Sequence, residues 1–286
     1  MLAELHAVRT AATGPIPATR WDPIDLLCRD PSTGAELVVR TKPQRSGPSA
    51  AMCFAEAVSH GVLRRIGIPV ATGAVVHIEE ELASGISAEF EMSPPVQPGR
   101  HWGTVFIPDS YGPDPSSIRL DELADRLDLF RIYLADVLIG NNDRLTAGNV
   151  LLRPVGRGKF ETVAIDQSEA FRAFSCLQEA GCLEAGKDGL WARYLPQAEQ
   201  VAVNAGASAV EQMFSQIVNL SSELRRLVND VPAEWIDRGS VDADGAQAFL
   251  EYRAENLARI ADRTGWLERC RIVEDGSLLL GLEGSS

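Results

Sequence analysis

Apolar residues in the first third of the chain occur in short runs bounded by Gly, Pro and acidic residues. Such runs are typical of β-strands, and four strands are predicted, over 5–8, 35–42, 70–78 and 86–92. One longer segment differs, because Phe54, Val58 and Val62 recur at four-residue spacing. This helical period predicts a helix over 49–66. The N-terminal part is therefore predicted to be a sheet with one helix.

From about residue 120 onward the apolar period is mostly helical. The strongest helix is predicted over 120–139, and others are predicted over 208–228 and 245–263. One hairpin interrupts these helices, with strands over 149–153 and 160–165 joined by a turn that contains two glycines. Together the patterns predict an α+β fold with a β-rich N-terminal part and a mostly helical C-terminal part.

The segment Ser93–Gly99 is predicted to be a boundary, because it contains three prolines and ends in Gly. Proline removes backbone donors, so a central strand cannot continue through such a segment. Two domains are therefore predicted, over 1–93 and 94–286.

The composition narrows the classes of partner. The chain has 286 residues, 45% of them hydrophobic, and a formal net charge of −13. This acidic balance argues against nucleic acid or an anionic membrane surface as a partner. No run approaches the ~20 apolar residues that span a bilayer.

The five Cys and four His are scattered without metal-ligand spacing, so no zinc site is expected. Free thiols are typical of the reducing cytoplasm, where we expect the protein to be located.

Polar residues that suit phosphoryl transfer flank the predicted hairpin. The loop Asn141–Arg144 follows an apolar helix, Asn149 begins one strand, and Asp166 ends the other. Such chemistry needs a carboxylate that orients the attacking hydroxyl and oxygen ligands for magnesium just downstream. The order of these residues therefore indicates a kinase-like site.

The predicted N-terminal sheet offers a cation for nucleotide phosphates. Arg40 and Lys42 lie on one face of the strand 35–42, because side chains alternate along a strand. Glu56 borders the apolar stripe of the helix 49–66, where it can meet a cation on a neighbouring strand. The sequence leaves open which of the two cations contacts phosphate.

These motifs resemble the bacterial HipA-like kinase family, which is distantly related to phosphatidylinositol kinases. The resemblance depends mainly on three central motifs, Ile139–Arg144, Asn149–Leu152 and Ala164–Asp166, and it extends over most of the chain. It implies a two-lobed protein-kinase-like fold with a small β-rich N-lobe and a mostly helical C-lobe. It also implies an ATP- and Mg²⁺-dependent kinase that transfers the γ-phosphate to a Ser or Thr hydroxyl of a protein.

The resemblance also implies roles for individual residues. Asp143 and Arg144 would be catalytic, and Asn149 and Asp166 would bind the metal. Arg40 or Lys42 would bind phosphate with Glu56 as its partner, and the backbone of Glu91 and Met92 would face adenine. The last two follow from taking 86–92 as the strand that precedes the interlobe connection.

Three features depart from the family pattern. Five residues separate Asp143 from Asn149 where four are usual, Gln167–Ser168 replaces Phe-Gly after Asp166, and Arg40 stands where Lys is common. Arg is not an equivalent substitute for Lys, since its fork is planar and bulkier. A nucleotide-binding pseudokinase and a small-molecule kinase therefore remain as alternatives, and the acceptor stays open between a protein and a small molecule.

Overall fold

The computed structural model describes residues 2–11, 22–114, 117–141, 143–144, 149–171, 195–262 and 265–274. The chain divides into two compact units. The first comprises Met1–His60, Ala71–Pro108 and Asn229–Ala243, and the second comprises Gly61–Val70, Asp109–Val228 and Asp244–Ser286. The predicted domains, 1–93 and 94–286, differ from these units in the place of the division. The predicted α+β class, with a β-rich N-terminal part and a helical C-terminal part, is confirmed.

The first unit is built on five strands that close into a barrel in the order β1-β2-β3-β5-β4. Their bounds are Ala3–Thr10 (β1), Ile24–Arg29 (β2), Glu36–Lys42 (β3), Gly73–Ile78 (β4) and Gly99–Val105 (β5). β1 and β4 pair in parallel, and the other neighbours are antiparallel. The strands predicted over 5–8, 35–42 and 70–78 are confirmed, with small shifts at their ends.

Mainly aliphatic side chains fill the core of the barrel, and a helix packs against them. This helix, α2, spans Glu80–Glu89 and buries Ala83 and Ile86 in the same core as Val39 and Val76. The predicted strand over 86–92 is therefore wrong. The two buried residues are three apart, as one helix face requires, and Glu80 and Glu81 stabilise the first turn through the helix dipole.

Two further helices contribute to the first unit. α1 spans Gly47–Arg65, and the predicted apolar stripe of Phe54, Val58 and Val62 is buried. The division between the units falls within this helix. α7, Ala233–Gly239, belongs to the first unit although it comes late in the chain. Its buried Trp235 donates a hydrogen bond from Nε1 to the carbonyl oxygen of Arg100, at 3.0 Å. Since Arg100 lies on β5, the first unit continues past the proline segment 93–99.

The second unit surrounds one almost completely buried helix, α3. The helices are α3 (Leu127–Ile139), α4 (Leu195–Ala205), α5 (Ala207–Val218), α6 (Ser221–Asn229), α8 (Ala243–Glu255), α9 (Leu257–Ala261) and α10 (Trp266–Glu274). Aromatic packing joins α3 to α10, because the rings of Phe130 and Trp266 pack edge to face with their centres 5.1 Å apart. The helix predicted over 120–139 is confirmed from Leu127, after a short 3₁₀ helix at Leu120–Glu122.

The second unit also contains the predicted hairpin. Its strands, β6 (Val150–Gly156) and β7 (Lys159–Ala164), pair antiparallel with Val150 opposite Ala164. This register places the residues before β6 and after β7 at the same open end of the hairpin. Across the described residues, every helix is too short or too polar to span a bilayer.

Candidate functional site

In the first unit, a cation and a carboxylate form a buried ion pair. Lys42, at the end of β3, places its Nζ 2.5 Å from Oε1 of Glu56 on α1. The Lys42 side chain is 11% exposed and that of Glu56 is 1% exposed. Because desolvation offsets the attraction in a buried pair, such a pair is weak evidence of stabilisation. It does fix the position of the ammonium group.

Arg40 has a different partner from Lys42. Its Nε and Nη2 donate hydrogen bonds to the two carboxylate oxygens of Asp25 on β2, both at 2.9 Å. Asp25 lies opposite Arg40 in the register of β2 and β3. The sequence left the two cations open as partners of Glu56, and the structure pairs Glu56 with Lys42.

The chain just after Lys42 is held by a buried imidazole. The backbone N–H of Gln44 donates to Nδ1 of His101 on β5, at 2.8 Å. Burial is the main cause that lowers the pKa of His101 to about 3. His101 is therefore neutral in the folded chain at any pH well above that value.

This lowered pKa predicts a loss of stability in acid. Below pH 6.5 the unfolded chain gains a proton on His101 that the folded chain does not bind, so unfolding is favoured as the pH falls toward 3. We expect this group alone to lower the free energy of unfolding by about 2 kcal/mol at pH 5. Urea unfolding of the wild type and of His101→Gln at pH 7 and pH 5 measures it. Gln can still accept the bond from Gln44, and equal losses in both proteins would contradict the assignment.

In the second unit, α3 ends at the predicted polar loop. Gly140 adopts the left-handed conformation (φ 64°) and ends the helix, and its N–H donates to the carbonyl of Asp136. Asn141 follows and is fully buried, with its Nδ2 3.3 Å from Oδ1 of Asp136. Its Oδ1 accepts a hydrogen bond from the backbone N–H of Asp143, at 3.1 Å. The end of α3 thus orients the backbone of Asp143.

Gly140 is required at this position for two reasons. Its φ is in the region that L-residues adopt at a cost, and a Cβ there would lie 2.8 Å from Cζ of Phe249. In Gly140→Ala the backbone conformation alone costs about 1–2 kcal/mol. Because the new Cβ also meets Phe249, we expect the free energy of unfolding to fall by more than this amount. Thermal unfolding measures the loss. Gly158→Ala is the control, because Gly158 has a φ of +68° and nothing within 4 Å of its Cβ position; equal losses would contradict the role of Phe249.

Arg144 joins the loop to the residues that flank both strands of the hairpin. Its Nε and Nη2 bind the two carboxylate oxygens of Asp136, at 2.9 and 3.0 Å. Its Nη1 donates to the carbonyl oxygens of Asn149 and Ile165, each at 2.5 Å. Arg144 and Asp136 are both 0% exposed. This cation also compensates for a carboxylate at the negative end of the α3 dipole.

Asp143 and Asn149 are in direct contact. The amide Nδ2 of Asn149 donates to the carbonyl oxygen of Asp143, at 2.7 Å, and lies 3.2 Å from its Oδ2. Asn149 is 6% exposed and Asp143 is half-buried. The amide nitrogen of Asn149 therefore faces Asp143. The amide oxygen of Asn149 is the side-chain atom that could bind a cation.

Asp166 has an unusual backbone conformation. Its φ is +56°, which costs energy in a residue with a side chain and tends to be retained at functional positions. Its Oδ1 accepts hydrogen bonds from the hydroxyl and the backbone N–H of Ser168, at 2.6 and 3.3 Å. Arg144 follows Asp143 in the chain and donates to the carbonyl oxygen of Ile165, which precedes Asp166. Its side chain therefore links the neighbours of the two predicted carboxylates.

The side-chain oxygens of Asn149 and Asp166 suit magnesium better than a transition metal. Among the described residues, no three His, Cys, Asp or Glu side chains are grouped so that they can hold a metal ion by themselves. Mg²⁺ bound with substrate phosphates needs only one or two carboxylates, with water and phosphate as further ligands. The carboxylate of Asp166 and the amide oxygen of Asn149 fit that requirement.

The structure does not support the predicted adenine contact at Glu91 and Met92. Both residues follow α2 rather than ending a strand, and the N–H of Met92 donates to the carbonyl of Ser87, at 2.9 Å. The Met92 side chain packs against the barrel core. The basis of that prediction, a strand over 86–92, is absent.

Two residues of these sites could not be assigned from the sequence, and the contacts of a third were not predicted. Asp25 is a partner of Arg40 only through the β2–β3 register, and Asn141 could not be distinguished from other loop amides. Arg144 was predicted to be catalytic, and the structure shows its side chain fully buried and bound to Asp136 and to the carbonyls of Asn149 and Ile165. The partner of each of these side chains depends on how distant segments pack together, which the local sequence pattern did not specify.

Comparison with known proteins bears on the fold. No family model matches the chain. No curated protein matches it in sequence. The crystal structure of the proinflammatory kinase CtkA of Helicobacter pylori is similar, with a TM-score of 0.51 and 10% sequence identity over 94% of this chain and 99% of that chain. At this identity the likeness concerns the fold alone, and the fold of this chain resembles that of a kinase.

Proposed function

We propose that the chain is an ATP- and Mg²⁺-dependent phosphotransferase of the HipA-like type, which transfers the γ-phosphate to a Ser or Thr hydroxyl of a protein. The observation that carries this proposal is the set of contacts of Arg144, which gathers the loop of Asp143, the residue before β6, Asn149, and the residue before Asp166. Phosphoryl transfer requires such a grouping of a hydroxyl-orienting carboxylate with oxygen ligands for magnesium.

In the first unit, Lys42 is proposed to bind nucleotide phosphates. Its ammonium group is held by Glu56 at 2.5 Å, so it would not have to be ordered when the nucleotide binds. Arg40 is a poorer candidate, because its Nε and Nη2 are both bound to Asp25. Lys also suits a phosphate as a compact point charge.

In the second unit, Asp143 is proposed to accept a hydrogen bond from the acceptor hydroxyl. Its backbone is fixed by Asn141 and its Oδ2 lies beside Nδ2 of Asn149. Asn149 and Asp166 would hold Mg²⁺, which neutralises charge on the phosphates when it is bound. Arg144 does not reach the reacting atoms in this proposal but keeps these three residues in place.

A nucleotide-binding module without transfer is the second candidate. The observation that favours it is the pair of hydrogen bonds that Ser168 donates to Oδ1 of Asp166. These bonds compete for one oxygen of Asp166, so a bound Mg²⁺ would be held by fewer protein oxygens than transfer requires. A module of this kind would bind nucleotide and Mg²⁺ but would release no phosphorylated product.

Thermal unfolding in the presence of ATP and Mg²⁺ tests the proposal. A ligand that binds the folded state alone raises the unfolding temperature, so we expect the wild type to be stabilised and Asp166→Ala to show no added stabilisation from Mg²⁺. Mass spectrometry of the chain and of candidate acceptor proteins then detects transfer. Binding without transfer would favour the second candidate, and no binding would contradict both.

A further inference from the structure

Helix α7 holds one residue of β5 through both its carbonyl and its N–H. Trp235 donates from its indole Nε1 to the carbonyl oxygen of Arg100, at 3.0 Å, and Oε1 of Glu234 accepts a hydrogen bond from the backbone N–H of Arg100, at 3.1 Å. Trp235 is 0% exposed, so this carbonyl takes the place of water as the partner of the indole N–H. Two consecutive side chains of α7 therefore fix the backbone near the start of β5.

The same carbonyl oxygen holds the chain that follows Lys42. The side-chain amide Nε2 of Gln44 also donates to the carbonyl oxygen of Arg100, and the backbone N–H of Gln44 donates to Nδ1 of His101, at 2.8 Å. Gln44 is 2% exposed. Since Gln44 comes two residues after Lys42, where β3 ends, that end of β3 is anchored to the part of β5 that α7 holds.

α7 also packs against the first turns of α1, the helix that carries Glu56. A Cβ at Gly239 would lie 2.7 Å from the backbone nitrogen of Ala51. Only a residue without a side chain allows two backbones to approach so closely. α7 therefore contacts the helix of Glu56 directly and the strand end of Lys42 through Arg100.

We propose that Trp235 and Glu234 are positioning residues, which hold Lys42 and its partner Glu56 in the arrangement that binds nucleotide phosphates. This inference rests on the proposed function, since it takes Lys42 as the phosphate ligand. A binding group needs support from the residues behind it, because a displacement of about 1 Å is enough to weaken a site strongly. α7 supplies this support, although it lies far from β3 in the sequence.

Trp266 offers a matched control for the indole of Trp235. Its Nε1 also donates to a backbone carbonyl, that of Ala261 at 3.2 Å, and it is also 0% exposed. Trp266 belongs to the second unit, whereas Trp235 belongs to the first. Loss of either N–H should lower the stability of the chain, but only the loss at Trp235 should change the behaviour of Lys42.

Two measurements on the full chain test the inference in Trp235→Phe, which keeps a buried ring and removes the N–H. The first is the rate at which an acetyl N-hydroxysuccinimide ester modifies Nζ of Lys42, followed by mass spectrometry, because the contact with Glu56 protects this amine. The second is calorimetric titration with ATP and Mg²⁺. Loss of one hydrogen bond predicts acylation about 5-fold faster and ATP binding about 5-fold weaker. Trp266→Phe should change neither, and equal changes in both variants would overturn the inference.

Gln44→Met tests whether α7 acts on Lys42 through Arg100. Gln44 and Trp235 donate to the same carbonyl oxygen, so their effects on Lys42 should not be independent. We expect acylation in the double variant Gln44→Met, Trp235→Phe to be slower than the product of the two single effects. A rate equal to that product would overturn the path through Arg100.

Glu234→Ala provides a second variant should Trp235→Phe not fold. It removes the acceptor of the Arg100 N–H from a half-buried position, and the same rise in the acylation of Lys42 is expected.

The outcomes separate this inference from the proposed function. Wild-type acylation rates in Trp235→Phe and Glu234→Ala would overturn the positioning role, whether or not the wild type binds ATP. A wild type that binds no ATP would contradict the proposed function, and the acylation rates would still decide whether α7 positions Lys42.

Discussion

Replacing Asp143 with Asn is expected to slow phosphoryl transfer by about 10²–10⁴-fold, the range that a positioned proton acceptor contributes. The amide has nearly the same shape, and its oxygen can still accept the bond that Asn149 donates to Oδ2. The fold should therefore be retained while the charge beside the acceptor hydroxyl is lost. Initial rates of ATP-dependent transfer, with circular dichroism of both proteins, measure the two effects.

Asp166→Asn extends this test to the metal ligand. Asn tolerates the left-handed conformation that Asp166 adopts at φ +56°, so loss of transfer would reflect the missing charge. Asp109→Asn is the control, because Asp109 has a φ of +58° and is exposed. Wild-type rates in both Asp143→Asn and Asp166→Asn would defeat the assignment of these carboxylates.

Local patterns predicted the hairpin that carries the site. Strands β6 and β7 were recognisable because short apolar runs flank a turn with Gly156 and Gly158, both of which adopt positive φ. Such turns depend on neighbouring residues alone. Because Asn149 and Asp166 flank these strands, their proximity followed from the hairpin.

Segments with weaker local signals were misjudged. The acidic run at 79–81, which bounds the strand predicted over 70–78, lies at the start of helix α2. The run from Ile86 alternates apolar and polar residues as a strand does, and the burial of Ala83 and Ile86 on one helix face reveals the helix. Short apolar runs are ambiguous between helix and strand until tertiary contacts decide.

The ion pairs required knowledge of register. The sequence placed Arg40 and Lys42 on one face of a strand but could not distinguish their partners. The β2–β3 pairing brings Asp25 opposite Arg40 and leaves Lys42 to Glu56. The position of Arg144 directly after Asp143 is evident from the sequence. Its burial is not, because it depends on contacts with Asp136 on α3 and with Ile165 beside the hairpin.

Loss of Arg144 is expected to have the largest effect on stability. Arg144→Ala would leave the carboxylate of Asp136 buried without its cation and would remove hydrogen bonds to the carbonyls of Asn149 and Ile165. Removing one partner of a buried ion pair typically costs about 3–5 kcal/mol. Urea unfolding measures the loss, and hydrogen exchange should localise it to the end of α3 and to the hairpin.

Two comparisons determine whether the loss comes from the buried charge. Arg153→Ala removes an exposed partner of Glu161 on the same hairpin, and exposed pairs contribute only about 0–1 kcal/mol. In the double variant Asp136→Asn, Arg144→Met, both charges are absent, so it should be more stable than Arg144→Ala. If the double variant is instead the less stable of the two, the loss of the cation beside Asp136 is not the cause. Arg144 would then stabilise the chain mainly through the two carbonyls, and its role in gathering Asp143, Asn149 and Asp166 would not depend on Asp136.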